Sequence, residues 1–273
     1  MPDWLSQLLI SLGLLALCWS FLRAHHPAWR RVGLWMLVIS LGLLIWLWTG
    51  SWAMGLIGWL IWFAVPILQA VVASRRLRFS LNRRLEEGFL SPEHFPDLSS
   101  LTRDIRDQGF ESFEDFWLKP SPQEQAYRIG HHESEPVIVA MAHIIQGPVQ
   151  LRYLMFITPD AEGNHWVTWD YPLAYGFKLP PAFKVYRYVD GESVGELMDQ
   201  HRAFMEINEV QRPALPENAE AIRETMEKIF SGTMAYNLKV GLLEQSDSGD
   251  EVRYSWRGSL YLAGQVFRDV ISA

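Results

Sequence analysis

The sequence predicts a membrane plus α+β architecture: three N-terminal transmembrane helices followed by a soluble domain with an antiparallel sheet and amphipathic helices. Three observations lead there. Three long runs near the N-terminus are apolar and free of charge, an arginine-rich stretch (S-R-R-L-R-F-S-L-N-R-R, Ser74–Arg84) follows the last of them, and from Gln125 onward the apolar period changes to two.

The runs are Trp4–Leu22, Val32–Trp48 and Trp52–Ala73, of 19, 17 and 22 residues. These lengths bracket the ~20 residues a helix needs to cross ~30 Å of hydrocarbon. Tryptophans at the run edges (Trp4, Trp29, Trp48, Trp52) suit an interfacial belt. The first run lacks a basic leader and a small-x-small cleavage site, so it reads as a retained anchor and not a signal peptide. Thr49-Gly50-Ser51 is short enough only for a tight turn, which makes runs two and three a hairpin. Arg23, Arg30 and Arg31 lie between runs one and two, and Arg75, Arg76, Arg78, Arg83 and Arg84 follow run three. With three crossings both positive segments fall on one side, and the positive-inside rule makes that side cytoplasmic. The expectation is an integral protein of a plasma or inner membrane, N-terminus outside and C-terminal domain cytoplasmic. Its partners would be membrane lipids, with a protein partner or a homo-oligomer formed through the transmembrane helices as further options.

The expected division is 1–74 as anchor (helices at about 4–22, 32–49 and 52–73), 75–122 as a basic juxtamembrane helix and helical collar, and 123–273 as the cytoplasmic α+β domain. Leu77, Leu81 and Leu85 recur at helical spacing, which would lay the five arginines on anionic headgroups. In the collar, Ser91-Pro92-Glu93, Ser99-Ser100 and Ser112 with Asp115 open short helices, and Lys119-Pro-Ser-Pro122 ends them. Strands follow at Ala126–His131, Val137–Gln146, Val149–Thr158 and His165–Asp170, joined by the turns Gly147-Pro148 and Asp160–Gly163, as an antiparallel meander. Phe183–Val189 is a further strand beyond the loop Tyr171–Pro181. Ser193 and Glu196 form a capping box for a helix whose inner face holds Val194, Leu197, Met198, His201, Phe204 and Met205. Glu217–Phe230 is a second amphipathic helix. Met234–Val240 reads either as its continuation ending at Gly241 or as a strand, and the helix is preferred. The turn Ser246–Gly249, a strand Val252–Trp256 and a helix Leu260–Val270 close the chain.

Beyond residue 84 the chain holds 16 basic residues against 30 acidic. A domain of that sign repels a phosphate backbone, so nucleic acid is not an expected partner. One cysteine, Cys18, excludes an intrachain disulfide and a Cys-based zinc site. No glycine-rich phosphate loop occurs, and no cofactor is expected.

Three patterns remain as sites. Gly191-Glu-Ser-Val-Gly195 has the form of a nucleophile elbow between strand and helix. Its serine, Ser193, is followed by one histidine, His201, ~12 Å along the same helix, too far to take the hydroxyl proton, and capping accounts for the serine. His131, His143 and His165 are the candidate metal ligands, though their spacing matches no compact zinc signature. Tyr153, Trp166, Trp169, Tyr175 and Tyr186 belong to a dense aromatic stretch that either lines a small-ligand pocket under the 171–181 loop or fills a core. The function expected from all this is a membrane-anchored cytoplasmic module binding a protein, lipid or small molecule, without a recognisable catalytic site. The alternative is a membrane-bound hydrolase using Ser193 or a His-centred metal.

Overall fold

The computed structural model describes residues 3–23, 27–90, 95, 97–119, 124–146, 149–172, 175–189, 191, 193–211, 219–246 and 251–272. The expected Ser91-Pro92-Glu93 cap, the Gly147-Pro148 turn, the Pro120–Pro122 break and the Asp247–Gly249 turn lie outside them. The chain forms two compact units, Met1–Val72 and Ala73–Ala273.

The first unit contains α1 (Asp3–Leu22), α2 (Pro27–Thr49) and most of α3 (Trp52–Arg76). Gly50, at φ +67°, makes the turn between α2 and α3, a conformation that costs glycine nothing. Gly42 and Gly55 let those two helices touch backbone to backbone, since a Cβ on Gly55 would lie 2.8 Å from the Gly42 carbonyl oxygen. Between α1 and α2, Trp48 Nε1 donates to Ser11 Oγ at 3.4 Å, and Cys18 Sγ lies 3.8 Å from Ser40 Oγ.

Among the described residues no helix is long and apolar enough to cross a membrane. This corrects the three-span reading. With it go the membrane anchor, the orientation with the N-terminus outside, the integral-membrane placement, and the lipid and transmembrane-oligomer partners. Crossing requires a sustained apolar helix of about 20 residues, and no described helix meets that requirement. In α1 Ser11 and Ser20 turn their hydroxyls back on the carbonyls of Gln7 and Ala16, at 2.7 and 2.9 Å.

The second unit is α+β. Its larger sheet has seven strands in the order β2-β3-β4-β5-β6-β7-β8: β2 (Arg84–Glu87), β3 (Phe110–Lys119), β4 (Glu124–His132), β5 (Ile138–Gln146), β6 (Val149–Pro159), β7 (His165–Trp169) and β8 (Phe183–Arg187). A small antiparallel sheet orders β1 (Arg78–Ser80), β10 (Glu251–Tyr254) and β9 (Leu243–Gln245). Helices α4 (Leu98–Arg106), α5 (Val194–Ile207), α6 (Ala219–Lys239) and α7 (Trp256–Ser272) complete it.

Because strand side chains alternate between faces, the large sheet builds two cores. One face carries Val139, Met141, Leu154 and Phe156 against Leu98 and Ile105 of α4 and Leu197 and Met198 of α5. The other carries Tyr127, Ile138, Ala140, Met155, Ile157 and Trp169 against Ile222 and Met226 of α6.

Several expectations are corrected here. The four strands expected as a meander, β4 to β7, do pair antiparallel, but the sheet as a whole is mixed, because β8 runs parallel to β7, with Val167 opposite Val185. The 170–182 connection returns the chain to the same end of the sheet before β8 begins. No juxtamembrane helix holds Leu77, Leu81 and Leu85 on one face. α3 ends at Arg76, the chain enters β1 and β2, and Leu85 is buried in the sheet core while Leu77 and Leu81 pack beside Phe79. The helix expected at Ser112 is strand β3, whose pairing with β4 shifts between Glu111 and Glu114 where Ser112 takes φ 54°. That bulge interrupts the period-two pattern and hid the strand. The segment Thr233–Lys239 is helix, the end of α6, with Gly241 at φ +74° just beyond it.

Candidate functional site: an aromatic box around Arg83

The α6 face of the large sheet runs into the small sheet through a chain of rings. Tyr153 of β6 meets Tyr171 edge-on at 4.9 Å and Trp169 of β7 at 6.5 Å. Tyr175 stands 5.1 Å from Trp169 and 5.9 Å from Phe177. Phe177 stacks on Tyr254 of β10 at 5.4 Å, and Phe79 of β1 closes on both at 5.2 and 5.5 Å. Edge-on and offset pairs of this kind set the positive ring edge on the negative face, and each is worth about 1 kcal/mol beyond its buried area.

The 171–181 loop supplies three of these rings and is held by specific bonds. The Asn237 side chain, fully buried on α6, donates Nδ2 to the Lys178 carbonyl at 2.7 Å and accepts the Lys178 N–H at 2.9 Å. The Tyr254 hydroxyl donates to the Gly176 carbonyl at 3.1 Å, and a Cβ at Gly176 would come within 2.7 Å of that hydroxyl oxygen. Residue 176 has no room for a side chain.

Arg83, between β1 and β2, points into this box. It is 7% exposed, with its guanidinium carbon 5.5 Å from the Phe79 ring centroid. Its Nε and Nη2 are occluded and have no hydrogen-bond partner among the described residues, and the same is true of Trp169 Nε1. Burial lowers the Arg83 pKa, and the titratable groups acting on it are Tyr127, Tyr175, Tyr254 and Tyr153. Burial in turn pushes Tyr127 up to about 12 and raises Tyr153, Tyr175 and Tyr254. At neutral pH these four are neutral phenols beside a cation.

The five candidate pocket aromatics are thereby divided. Tyr153, Trp169 and Tyr175 meet in the box. Trp166 and Tyr186 lie on the α5 side, each against Phe204, at 5.2 and 5.6 Å. The five arginines also part company. Arg75 pairs with Glu244 at 3.1 Å and lies over Trp256, Arg78 donates to the Arg75 carbonyl, Arg76 and Arg84 are exposed, and Arg83 is in the box. No shared headgroup-binding surface results.

Ser193 is the N-cap of α5, its Oγ accepting the Glu196 N–H at 3.2 Å. The Glu196 carboxylate accepts the Tyr188 hydroxyl. His201 is fully buried, with Nε2 2.9 Å from Thr158 Oγ1 and Nδ1 2.9 Å from Thr168 Oγ1. Both ring nitrogens are thus turned to the sheet, away from the cap. His131, on β4, faces Ile138 across the ladder. His143 packs on Phe95 at 5.1 Å, and His165 on Phe183 at 5.2 Å with its pKa lowered by burial. Among the described residues no group of three or more His, Cys, Asp or Glu could hold a metal ion. The hydrolase alternative is corrected on this point together with its membrane setting.

Sequence reasoning missed the box's centre. Arg83 was grouped with its arginine neighbours, and its one local signal, Phe79 and Leu85 flanking a basic stretch on short strands, is too brief to show a period. Comparison with family models, with curated proteins and with solved structures gives no match to the chain.

Proposed function

We propose that the Ala73–Ala273 unit is a small-molecule-binding module whose ligand enters the aromatic box on the α6 face. The observation that supports it is a pair of occluded residues whose donors have no partner among the described residues, Arg83 through Nε and Nη2 and Trp169 through Nε1, both bordering Tyr175. Leaving such donors unpaired in an interior costs about 1–3 kcal/mol each, more for a charged group. A fold that keeps several in one place has placed them for an acceptor it does not itself supply. A cleft of about 280 Å³ lies between α4, α5 and β6, where Arg152 is paired with Asp97 and Asp170 accepts the Leu154 N–H.

A thermal-denaturation screen of the full chain against small charged and neutral compounds tests this. Compounds that raise the midpoint should lose their effect when Tyr175→Ala opens the box and when Trp169→Phe removes its N–H. If every effective compound works equally well on both variants, the box is not the site.

A further inference from the structure

Resting on the reading of the box as a ligand site, we infer that its ligand is a small organic carboxylate, gripped by Arg83 through Nε and Nη2. These two nitrogens form one edge of the guanidinium, with parallel N–H groups spaced for the two oxygens of a carboxylate. The same chain uses that edge in this way elsewhere. Arg128 donates Nε to Asp115 Oδ1 at 2.6 Å and Nη2 to Oδ2 at 2.7 Å. Arg202 sets Nε and Nη2 on Glu135 Oε1 at 3.1 and 2.8 Å. On Arg83 the corresponding pair is occluded and unpartnered among the described residues.

The charge on Arg83 persists. A guanidinium does not deprotonate in a protein, and the groups acting on it are phenols that burial keeps neutral. Phe79 offers a ring face, a modest cation–π contact that leaves the N–H edge unused. An uncompensated interior cation is strongly unfavourable, so an anion is the ligand class that gains most from this site. A phosphate dianion would call for more positive charge than one guanidinium supplies. A carboxylate is planar and monoanionic, and it leaves its organic body to the surrounding rings. Trp169 Nε1 remains as a donor for a further oxygen on the acid.

The test uses the full chain at neutral pH and matched ionic strength. Its thermal midpoint is followed with acetate, pyruvate, benzoate and phenylacetate, with the corresponding amides, and with inorganic phosphate. At least one acid should raise the midpoint by several degrees at millimolar concentration, while its amide and phosphate leave it unchanged. Arg83→Met should abolish the response and, with no acid present, melt higher than the wild type, because a lone buried charge has been removed. Arg83→Lys should lose most of the response, since an ammonium keeps the charge without the fork.

If an amide shifts the midpoint as much as its acid, or the response survives Arg83→Met, the carboxylate inference is overturned while the ligand site stands. A response to phosphate alone overturns the choice of carboxylate. A lower midpoint for Arg83→Met without ligand would show that the protein already stabilises the charge, and would overturn the inference as well. If no acid and no amide has any effect on the wild type, the ligand site falls with it.

Discussion

Arg128 and Arg83 are both largely withdrawn from water, on opposite sides of one seven-stranded sheet, and their surroundings differ in kind. Arg128, on the α4 side, fills its fork with Asp115 and donates a further bond to Thr102. On the same side His201 is bracketed by two threonines. Arg83, on the α6 side, has rings and neutral hydroxyls around it and, among the described residues, no acid paired with it. The difference teaches where to look for function. Buried groups that satisfy one another, as Arg128 and His201 do with their partners, hold helices to the sheet, while a face that withholds a partner from a buried cation has been arranged around something else.

The largest expected effect attacks the satisfied face. Arg128→Met strands the Asp115 carboxylate, whose side chain is 11% exposed, and should cost about 3–5 kcal/mol, the usual penalty for breaking a buried pair from one side. The same change at Arg83 has the opposite expected sign. Chemical denaturation of the two variants measures this contrast directly. If both lose stability alike, the two faces are not different in the way described.

His201→Leu comes next. It leaves the Thr158 and Thr168 hydroxyls, both fully buried, without the imidazole, and should cost about 2–4 kcal/mol. Adding Thr158→Val and Thr168→Val should recover much of that loss, because replacing all partners by apolar groups removes the unsatisfied atoms. A triple variant no more stable than the single one would show that packing, and not hydrogen bonding, holds α5 down.

The α6 face should reveal itself in alkali. Tyr127 has its folded pKa raised to about 12, so its contribution is complete below its ordinary value of 10.0 and is lost as pH rises toward 12. Over that window each such phenol removes about 1.4 kcal/mol per pH unit. Tyr153, Tyr175 and Tyr254 are shifted in the same direction, so unfolding should steepen above pH 10. Tyr127→Phe should be less sensitive there. Equal alkaline sensitivity in that variant would mean that Tyr127 is not buried as described.

How much of this was legible depends on whether the signal was local. The strands at 126–131, 137–146, 149–158 and 165–170 announced themselves by period and turn residues, and the cap at Ser193 by its spacing to Glu196. The division of the aromatic pocket was also available and was missed: Trp166 and Trp169 are an odd number apart on one strand, which sends them to opposite faces. The parallel β7–β8 pairing depends on the path of a loop anchored by Asn237, 59 residues beyond Lys178, and no local pattern encodes that. The three charge-free apolar runs read as spans by length, and no described helix is long and apolar enough to cross a membrane. Arg83 was out of reach for another reason. What sets it apart from Arg84 is burial, Arg83 being 7% exposed and Arg84 open to solvent, and that is a property of the folded neighbourhood.

The smallest effect belongs to Ser193, on the satisfied face, where the sequence alone suggests a nucleophile elbow. As N-cap its Oγ takes one of the orphan N–H groups at the start of α5, so Ser193→Ala should cost about 1 kcal/mol, and Ser193→Thr, which keeps the acceptor, should be close to neutral. The cost stays small because Ser193 is exposed, so water can reach the freed N–H. A cap effect also leaves the box untouched, so midpoint shifts produced by ligands should be equal in Ser193→Ala and the wild type. Covalent labelling of Ser193 by a fluorophosphonate would contradict the assignment, since a hydroxyl with no base within reach has nothing to take its proton. A ligand response that disappeared with the hydroxyl would move the binding site across the sheet and undo the comparison between its two faces.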